Sequence, residues 1–316
     1  MGLRDVSIVV PARNAEVHLG EMLKSVEPAG TAGAEVVLVD DGSTDRTSAV
    51  FSEVASRWPT VELVRQSWSG LGAARNTGLA ASSRRFVLFL DSDDYLYVDG
   101  LERLVHVAGK GFAPVSRGGE FRHFAGSHPP AARGSGSVRI VDSRRALLSG
   151  FGGTLRYLYE REFLVHSGIR YPTSLTFAED LPFAAALAAR VREFPDVSFP
   201  LYSYQMGRVG QLTTSNRSDT WPQLVDSFSE AERRVRPYSR GVRSAVAALE
   251  AWYAWRGLPQ ASGPAASEAR AAIRTFAAGA PRRLSVRRSA VAFDFFQILT
   301  LRSRERLHGL LNDDAR

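Results

Sequence analysis

The stretch FVLFLDSDD, residues 86–94, contains the pattern that decides the fold. Its five apolar residues are followed without a break by an aspartate, a serine and two more aspartates. A short, entirely apolar run is typical of a strand that is covered on both faces, as in a parallel sheet. In such sheets ligands bind beyond the carboxyl ends of the strands. The sequence therefore predicts a polar site directly after this strand.

Strand-like and helix-like segments alternate on both sides of this stretch. Strands are predicted over residues 6–10, 36–39, 61–64, 86–90 and 197–204, and helices over residues 16–26, 45–57, 72–81 and 181–191. Asn14 is predicted to cap the first helix, and Ser43 or Thr44 the second. The alternating order predicts an α/β protein with a mostly parallel sheet and helices on both of its faces.

The pattern weakens in the middle of the chain. Gly, Ser, Pro and Arg are frequent over residues 109–137, and residues 126–137 are predicted to form a mobile loop. The apolar spacing over residues 157–165 predicts a helix. Beyond Trp221 the chain is predicted to be helical.

Composition and charge exclude several classes of protein. The chain has no Cys, which excludes a disulfide-stapled module, a zinc finger and a thiol nucleophile. It lacks both a signal-peptide pattern and an apolar run of about 18 residues, so we expect a cytoplasmic protein. The net charge of +7 arises in residues 231–316, because the rest of the chain is close to neutral.

The three aspartates after the apolar strand point to a metal ion. Asp91, Asp93 and Asp94 repel one another where water is partly excluded, unless a cation neutralises them. Ligation by oxygen alone, with no His or Cys nearby, suits Mg²⁺ or Mn²⁺. The alternative is a solvated acidic turn before a helix that starts near Asp99.

Three further polar clusters lie where strands end or helices begin. Residues 40–45, DDGSTD, hold more carboxylates than helix capping needs, and a spare one can bind a nucleobase or ribose. Residues 70–76, GLGAARN, let a polar ligand approach closely, although Arg75 alone is explained as well by an ion pair. Glu179 and Asp180 suit a helix start by charge alone. Adjacent helical residues point about 100° apart, so only one of the two would face a site.

Five motifs in this order resemble the family 2 glycosyltransferases, which have the GT-A fold. They are VVPARN (9–14), VDDGSTD (39–45), GAARNTG (72–78), LDSDD (90–94) and EDLPF (179–183). The resemblance covers residues 6–215 and departs from the family at Arg13, where Tyr is frequent. It implies a GT-A nucleotide-diphospho-sugar transferase fold, with a catalytic domain over residues 1–220. A basic helical C-terminal region would then follow over residues 221–316.

The resemblance also implies a role for each motif residue. Asp180 would be the general base that deprotonates the acceptor hydroxyl, with Glu179 as its helper. Asp93 would hold a divalent cation, Mn²⁺ or Mg²⁺, with Asp94 supporting it. The donor would be bound by Pro11 and Arg13 at the nucleobase, Asp41 at the uracil imide, Arg75 over the base, Asp91 and Ser92 near the ribose, and Arg208 at the diphosphate.

The implied reaction is an inverting, metal-dependent transfer of a hexosyl or N-acetylhexosaminyl group from a nucleotide-sugar donor, with UDP the expected nucleotide. The acceptor would be a glycan, which could be lipid-linked, or a small-molecule aglycone. The motifs leave the sugar and the acceptor open. Nucleic acid is not an expected partner, because the basic C-terminal stretch contains no recognition motif.

A second interpretation is a protein that binds a membrane surface or an anionic polymer. Residues 282–306 place an apolar block between arginine clusters, as in an interfacial helix. A helix packed on the catalytic domain explains the same pattern. Peripheral contact with the inner face of a membrane is also compatible with the enzyme. Two other classes are excluded: a dehydrogenase needs GxGxxG after the first strand, and a phosphatase with Asp91 as nucleophile needs a Thr that is absent.

Overall fold

The computed structural model describes residues 1–124, 127–148, 155–207, 217–238 and 240–257. The strands are β1 (Val6–Ala12), β2 (Glu35–Asp41), β3 (Val61–Gln66), β4 (Phe86–Phe89), β5 (Tyr95–Leu96), β6 (Val115–Phe124), β7 (Val138–Asp142), β8 (Tyr157–Glu160) and β9 (Glu193–Met206). The helices are α1 (Leu19–Thr31), α2 (Thr47–Arg57), α3 (Leu71–Ala81), α4 (Val98–Ala108), α5 (Ser143–Leu148), α6 (Arg161–Ser167), α7 (Asp180–Arg190), α8 (Arg217–Val235) and α9 (Arg240–Gly257).

The strands of the described residues form one sheet in the order β3-β2-β1-β4-β8-β6-β9-β5, with β7 also paired to β9. The first four strands of the chain are parallel to one another. In the other half, β8 runs antiparallel to β4 and β6, and β5 and β7 run antiparallel to β9. The α/β class and its parallel strands are confirmed. The antiparallel strands of the second half are an addition that the sequence did not predict.

Helix α3 lies very close to the sheet because its residues are small. A Cβ atom on Gly78 would come within 2.2 Å of Val9 Cγ1, and one on Gly72 within 2.5 Å of the Pro172 carbonyl oxygen. Only glycine permits such close approach at these positions. The close packing brings the first turns of α3 to the carboxyl edge of the sheet, where the motif residues of β1, β2 and β4 end.

An aromatic cluster fixes α7 against the centre of the sheet. Phe183 stacks on Tyr171 with ring centroids 4.2 Å apart, and Phe89 of β4 contacts Tyr171 edge-on at 5.3 Å. All three side chains are almost completely buried. Aromatic pairs in these arrangements stabilise a core beyond the area that they bury. Because Phe183 lies in the first turn of α7, the cluster sets the position of Asp180 at the start of that helix.

Helices α7, α8 and α9 form a second, smaller core. Leu181 and Ala185 of α7 pack with Phe228 of α8 and with Val246 and Leu249 of α9. The described helices beyond Trp221 confirm the predicted helical character as far as Gly257. The division into parts at residue 220 stays a prediction. Within the described ranges no helix has both the length and the apolar content that crossing a membrane requires.

The sequence analysis did not identify a strand in the middle of the chain. The weak region 109–137 contains β6, a strand of ten residues. Its pattern is interrupted by Gly118 and Gly119, where a Cβ atom would come within 2.6 Å of Leu201 and 2.9 Å of the Phe199 carbonyl. These glycines lie at the register shifts where β6 pairs with β9. Both glycines are needed for the close approach to β9. They also interrupt the apolar pattern of β6, so the strand was not recognised in the sequence.

The expected helix over residues 157–165 is wrong for residues 157–160, which form β8, and is confirmed for residues 161–165, which belong to α6. Tyr157 and Tyr159 lie on the same face of β8 and stack at 5.9 Å. Apolar spacing over four residues fits a strand as well as a helix, and pairing with both β4 and β6 selects the strand.

The predicted helix caps are wrong as well. Helix α1 begins at Leu19 rather than next to Asn14, and α2 begins at Thr47 rather than next to Ser43 or Thr44. Asn14 has a φ of 49°, and its Oδ1 accepts a hydrogen bond from the backbone N–H of Thr44. Ser43 Oγ in turn accepts from the Asn14 N–H. These side chains join the loops after β1 and β2 instead of capping helices.

Candidate active site

The carboxyl end of β2 places Asp41 under the loop that leads into α3. Asp41 is buried, and its Oδ1 accepts hydrogen bonds from the Ser69 N–H at 2.8 Å and from Gln66 Nε2 at 2.7 Å. Its Oδ2 accepts from the Gly70 N–H at 2.9 Å. One carboxylate thus shapes the β3–α3 loop through its backbone. Carboxylates in proteins are stabilised by several such donors.

The same loop carries an exposed aromatic ring over the end of β1. Trp68 is 61% exposed, and the guanidinium of Arg13 lies over its ring at 4.8 Å from the centroid. Arg13 follows Pro11, which is buried within β1 and is paired in register with Val39 of β2. The arrangement provides a flat, cationic surface at the edge of the sheet. Planar groups stack on such surfaces.

Asp91, Asp93 and Asp94 come together just beyond β4. Each offers a carboxylate oxygen, and these oxygens all lie within 4.8 Å of one another. Asp94 is buried, and its Oδ1 accepts a hydrogen bond from the backbone N–H of Gln205, at the end of β9. Oxygen ligands of this number and type fit Mg²⁺ or Mn²⁺. The geometry thus agrees with the predicted metal site at Asp93, with Ser92 lying inside the same turn.

Arg75 joins this acidic loop to the start of α7. Its Nη2 donates to Asp91 Oδ1 at 2.7 Å, and its Nη1 donates to Glu179 Oε1 at 2.6 Å. The guanidinium also lies 5.0 Å from the centroid of the Tyr171 ring. Although burial disfavours its charge, Asp91, Tyr171 and Glu179 hold the pKa of Arg75 above its ordinary value. The sequence analysis gave an ion pair as the alternative explanation of Arg75, and the structure contains that ion pair. Contact of Arg75 with the nucleobase stays a prediction.

Asp180 is the first residue of α7, and Glu179 precedes it as the N-cap. Glu179 is buried and bound to Arg75, whereas Asp180 keeps a small exposure to solvent with its carboxyl group enclosed by protein. Burial and the adjacent Glu179 carboxylate raise the pKa of Asp180 to about 8. A carboxylate with a raised pKa is a stronger base than an ordinary aspartate. The two adjacent acids therefore have different environments, as their places at the helix start predicted.

The structure brings most of the predicted site residues to one edge of the sheet. Direct contacts link Arg75 to Asp91 and Glu179, and turns of the chain keep Ser92, Asp93, Asp94 and Asp180 beside them. Pro11, Arg13 and Asp41 lie at the ends of the two neighbouring strands. Arg208 and residues 282–306 fall outside the described residues.

Three residues of this site were missed by sequence reasoning. Trp68 is in a loop for which no motif was considered, and its exposure is visible only in the fold. Gln66 donates to Asp41, and its Oε1 accepts from Thr77 of α3. Tyr171 supports Arg75 from a segment between α6 and α7 that has no regular structure. A signal was available only for Trp68, as an apolar residue between polar ones after β3.

Comparison with known proteins finds similarity to glycosyltransferases. The model of glycosyl transferase family 2 matches residues 7–133, which include the first four motifs. EpsJ of Bacillus subtilis, an uncharacterized glycosyltransferase, is 26% identical over 208 residues, or 63% of this chain. The alignment spans 60% of EpsJ, so the chain covers less than two thirds of that relative's length.

Solved structures show the same fold at low sequence identity. TarS of Staphylococcus aureus, in complex with UDP-GlcNAc, has a TM-score of 0.61 at 20% identity, covering 86% of this chain and 89% of that one. The mannosyltransferase PcManGT of Pyrobaculum calidifontis, in complex with GDP-Man and Mn²⁺, has a TM-score of 0.55 at 20% identity, covering 97% and 84%. The chain therefore has the GT-A fold, and its residues 7–133 are similar to glycosyl transferase family 2.

The raised pKa of Asp180 predicts how stability depends on pH. The folded protein keeps a proton on Asp180 that the unfolded chain loses near its ordinary pKa of 3.8. Stability should therefore fall as pH rises from about 4 to about 8. Asp180→Asn removes this effect, so the variant should unfold at a higher temperature than wild type at pH 8. We expect a difference of at least about 2 °C.

The measurement is thermal unfolding of both proteins between pH 5 and pH 8, with a chelator present so that no metal ion alters the charges. The stabilisation by Asp180→Asn should widen steadily as the pH rises. Parallel curves for the two proteins would show that the Asp180 carboxyl group has an ordinary environment.

Proposed function

We propose that the protein is an inverting, metal-dependent glycosyltransferase. It moves a hexosyl or N-acetylhexosaminyl group from a nucleoside-diphosphate sugar, with UDP as the nucleotide, to an acceptor hydroxyl. The observation that carries the proposal is the Arg75 bridge from Asp91 to Glu179. It holds a cluster of metal-type ligands and a carboxylate with a raised pKa, that of Asp180, in one site.

The donor nucleotide is assigned to the surface formed by the ends of β1, β2 and β3. Asp41 is held there by two backbone N–H groups, and Arg13 and Trp68 offer a flat cationic face. Such a face suits a planar base, and a carboxylate suits the imide of uracil. The TarS structures contain UDP or UDP-GlcNAc, whereas the PcManGT structure contains GDP-Man. These complexes support nucleotide-sugar binding as such, and the preference for UDP rests on Asp41.

A divalent cation, Mn²⁺ or Mg²⁺, fits the donor set of Asp91, Asp93 and Asp94. Asp93 is the proposed ligand, and Asp94, fixed by the Gln205 N–H, supports the loop from behind. When bound, the ion would offset the charge that develops on the leaving diphosphate. The structure of PcManGT, which contains Mn²⁺, supports a metal ion of this kind. Asp91 and Ser92 are left to contact the ribose, and Arg208 is proposed to contact the diphosphate.

Asp180 acts as the general base. Its carboxylate takes the proton of the acceptor hydroxyl while the acceptor oxygen bonds to the anomeric carbon. The bond from that carbon to the diphosphate oxygen breaks, and its electron pair leaves with the nucleoside diphosphate. Glu179 is engaged by Arg75, so it helps by raising the pKa of Asp180 rather than by taking the proton. One displacement of this kind inverts the anomeric configuration.

The acceptor is proposed to be a glycan, lipid-linked or free, or a small aglycone. Membrane contact through residues 282–306 stays a prediction about a segment outside the described residues. The interpretation as a membrane-surface or polymer-binding protein alone is not favoured, because it leaves the family match and the assembled carboxylates without a purpose.

A screen of sugar nucleotides for release of free nucleoside diphosphate tests the proposed function. Wild-type protein should release UDP from at least one UDP-sugar. Asp180→Asn should bind the same donor with nearly unchanged affinity but lose about 10²-fold or more in kcat, because the amide cannot accept the proton. Release at the wild-type rate by the variant would move the base elsewhere. Inactivity of wild-type protein towards every sugar nucleotide would contradict the proposal.

The metal requirement is tested on Asp93. Wild-type activity should vanish with excess chelator and return with Mn²⁺ or Mg²⁺, and Asp93→Ala should weaken donor binding in the presence of metal. Asp99→Ala is the matched control, because it removes the same charge from an exposed position in the first turn of α4. Full activity of wild-type protein in excess chelator would leave Asp93 as a turn residue only.

A further inference from the structure

The residue before the two catalytic-site acids has an unfavourable backbone conformation. Ala178 has a φ of 54°, in the left-handed region, directly before Glu179 and Asp180. Among the described residues other than glycine, only Asn14 shares a positive φ. Asn adopts this region readily through its side chain, whereas Ala gains nothing that offsets the steric crowding of its Cβ atom. Such a conformation persists only where surrounding structure enforces it.

The enforcing contact comes from helix α8. Ser227 Oγ donates a hydrogen bond to the carbonyl oxygen of Ala178 at 2.7 Å, and Ser227 is completely buried. The same carbonyl accepts from the Leu181 N–H at 3.1 Å, within the first turn of α7. A second contact lies nearby, where Thr176 Oγ1 donates to Gln223 Oε1 at 2.9 Å. The loop before Asp180 is therefore attached to α8 at two points.

Helix α8 is itself a firm support. Phe228 and Ala231, which follow Ser227 on the helix, are buried against Leu181 and Ala185 of α7. The next residue but one along the helix, Ser229, is exposed to solvent. The buried face of α8 thus fixes Ser227 relative to α7. The hydrogen bond from Ser227 can therefore fix the Ala178 carbonyl as well.

We propose that Ser227 is a positioning residue for the general base, so that α8 belongs to the catalytic apparatus. By holding the Ala178 carbonyl, it keeps the chain in the left-handed turn that aims Glu179 at Arg75 and leaves Asp180 facing the acceptor. The inference rests on the proposed function, because it assigns the purpose of the turn to Asp180. A displacement of about 1 Å in a reacting group can cost about 10²-fold in rate.

Kinetics with a matched pair of variants test the positioning role. Ser227→Ala should lower kcat about tenfold and leave the KM for the nucleotide sugar unchanged, since the donor surface lies on β1 to β3. Ser229→Ala removes the same hydroxyl from the exposed side of α8 and should behave as wild type. Equal kcat values for the two variants would overturn the proposal.

A second substitution separates positioning from general loss of stability. Glycine adopts a positive φ without strain, so Ala178→Gly removes the need for an enforcing contact. Adding Ala178→Gly to Ser227→Ala should restore most of the lost kcat. A variant that is only poorly folded would not be rescued by a further flexible residue. Failure of this rescue, together with a lowered melting temperature, would assign Ser227 to stability alone.

Hydrogen exchange gives a readout that does not depend on activity. Amides of residues 176–181 should exchange faster in Ser227→Ala than in wild type or Ser229→Ala, while those of β1 and β2 remain unchanged. Unchanged exchange at residues 176–181 would overturn the proposal whatever the activity of the variant. Absence of nucleoside diphosphate release by wild-type protein would instead count against the proposed function, so the two failures are distinguishable.

Discussion

The buried guanidinium of Arg75 connects the acidic loop after β4 to the start of α7. Arg75 donates hydrogen bonds to Asp91, which follows β4, and to Glu179, the N-cap of α7. Without that cation several carboxylates would lie close together in a poorly solvated place. Removing one partner of a buried ion pair typically costs about 3–5 kcal/mol. The site can therefore form only if α3, the acidic loop after β4 and the start of α7 are placed together.

The ion pair of Arg75 also gives the adjacent acids Glu179 and Asp180 different environments. Glu179 is held in an ion pair, whereas Asp180 faces burial and a neighbouring negative charge, which raise its pKa to about 8. Chemically similar side chains acquire different roles through environment alone. The position of Asp180 then depends on local backbone geometry at Ala178 and on the aromatic contacts of Phe183. Structural parts far apart in the sequence thus converge on Asp180, the proposed general base.

The sequence predicted features that depend on neighbouring residues and missed contacts between residues far apart in the chain. The strands β1, β2 and β4 and the polar residues that follow them were predictable, because each apolar run and its polar end lie within ten residues. The strand β6 was not, since Gly118 and Gly119 interrupt its pattern for the sake of contacts with β9. The side chains of the expected caps Asn14 and Ser43 join two loops, a pairing across 29 residues that local rules do not contain.

The candidate site shows the same limit. Its acidic residues were predicted from their motifs, but the bond between Arg75 and Glu179 spans 104 residues, and that between Ser227 and Ala178 spans 49. No periodicity or spacing encodes such pairs. The proposed role of Trp68 likewise depends on the position of its ring under the Arg13 guanidinium, which the sequence does not indicate. Where a contact depends on how helices pack on a sheet, the residue types alone leave several uses open.

A crystal structure of the protein with UDP and Mn²⁺ is the most direct test of whether Arg75 holds the site together. It should show Arg75 still bound to both Asp91 and Glu179, with the metal on the carboxylate of Asp93. The uracil ring of UDP should lie between Asp41 and the ring of Trp68. If Arg75 instead leaves Glu179 and closes over the uracil ring, then the Arg75 bridge does not hold the site together.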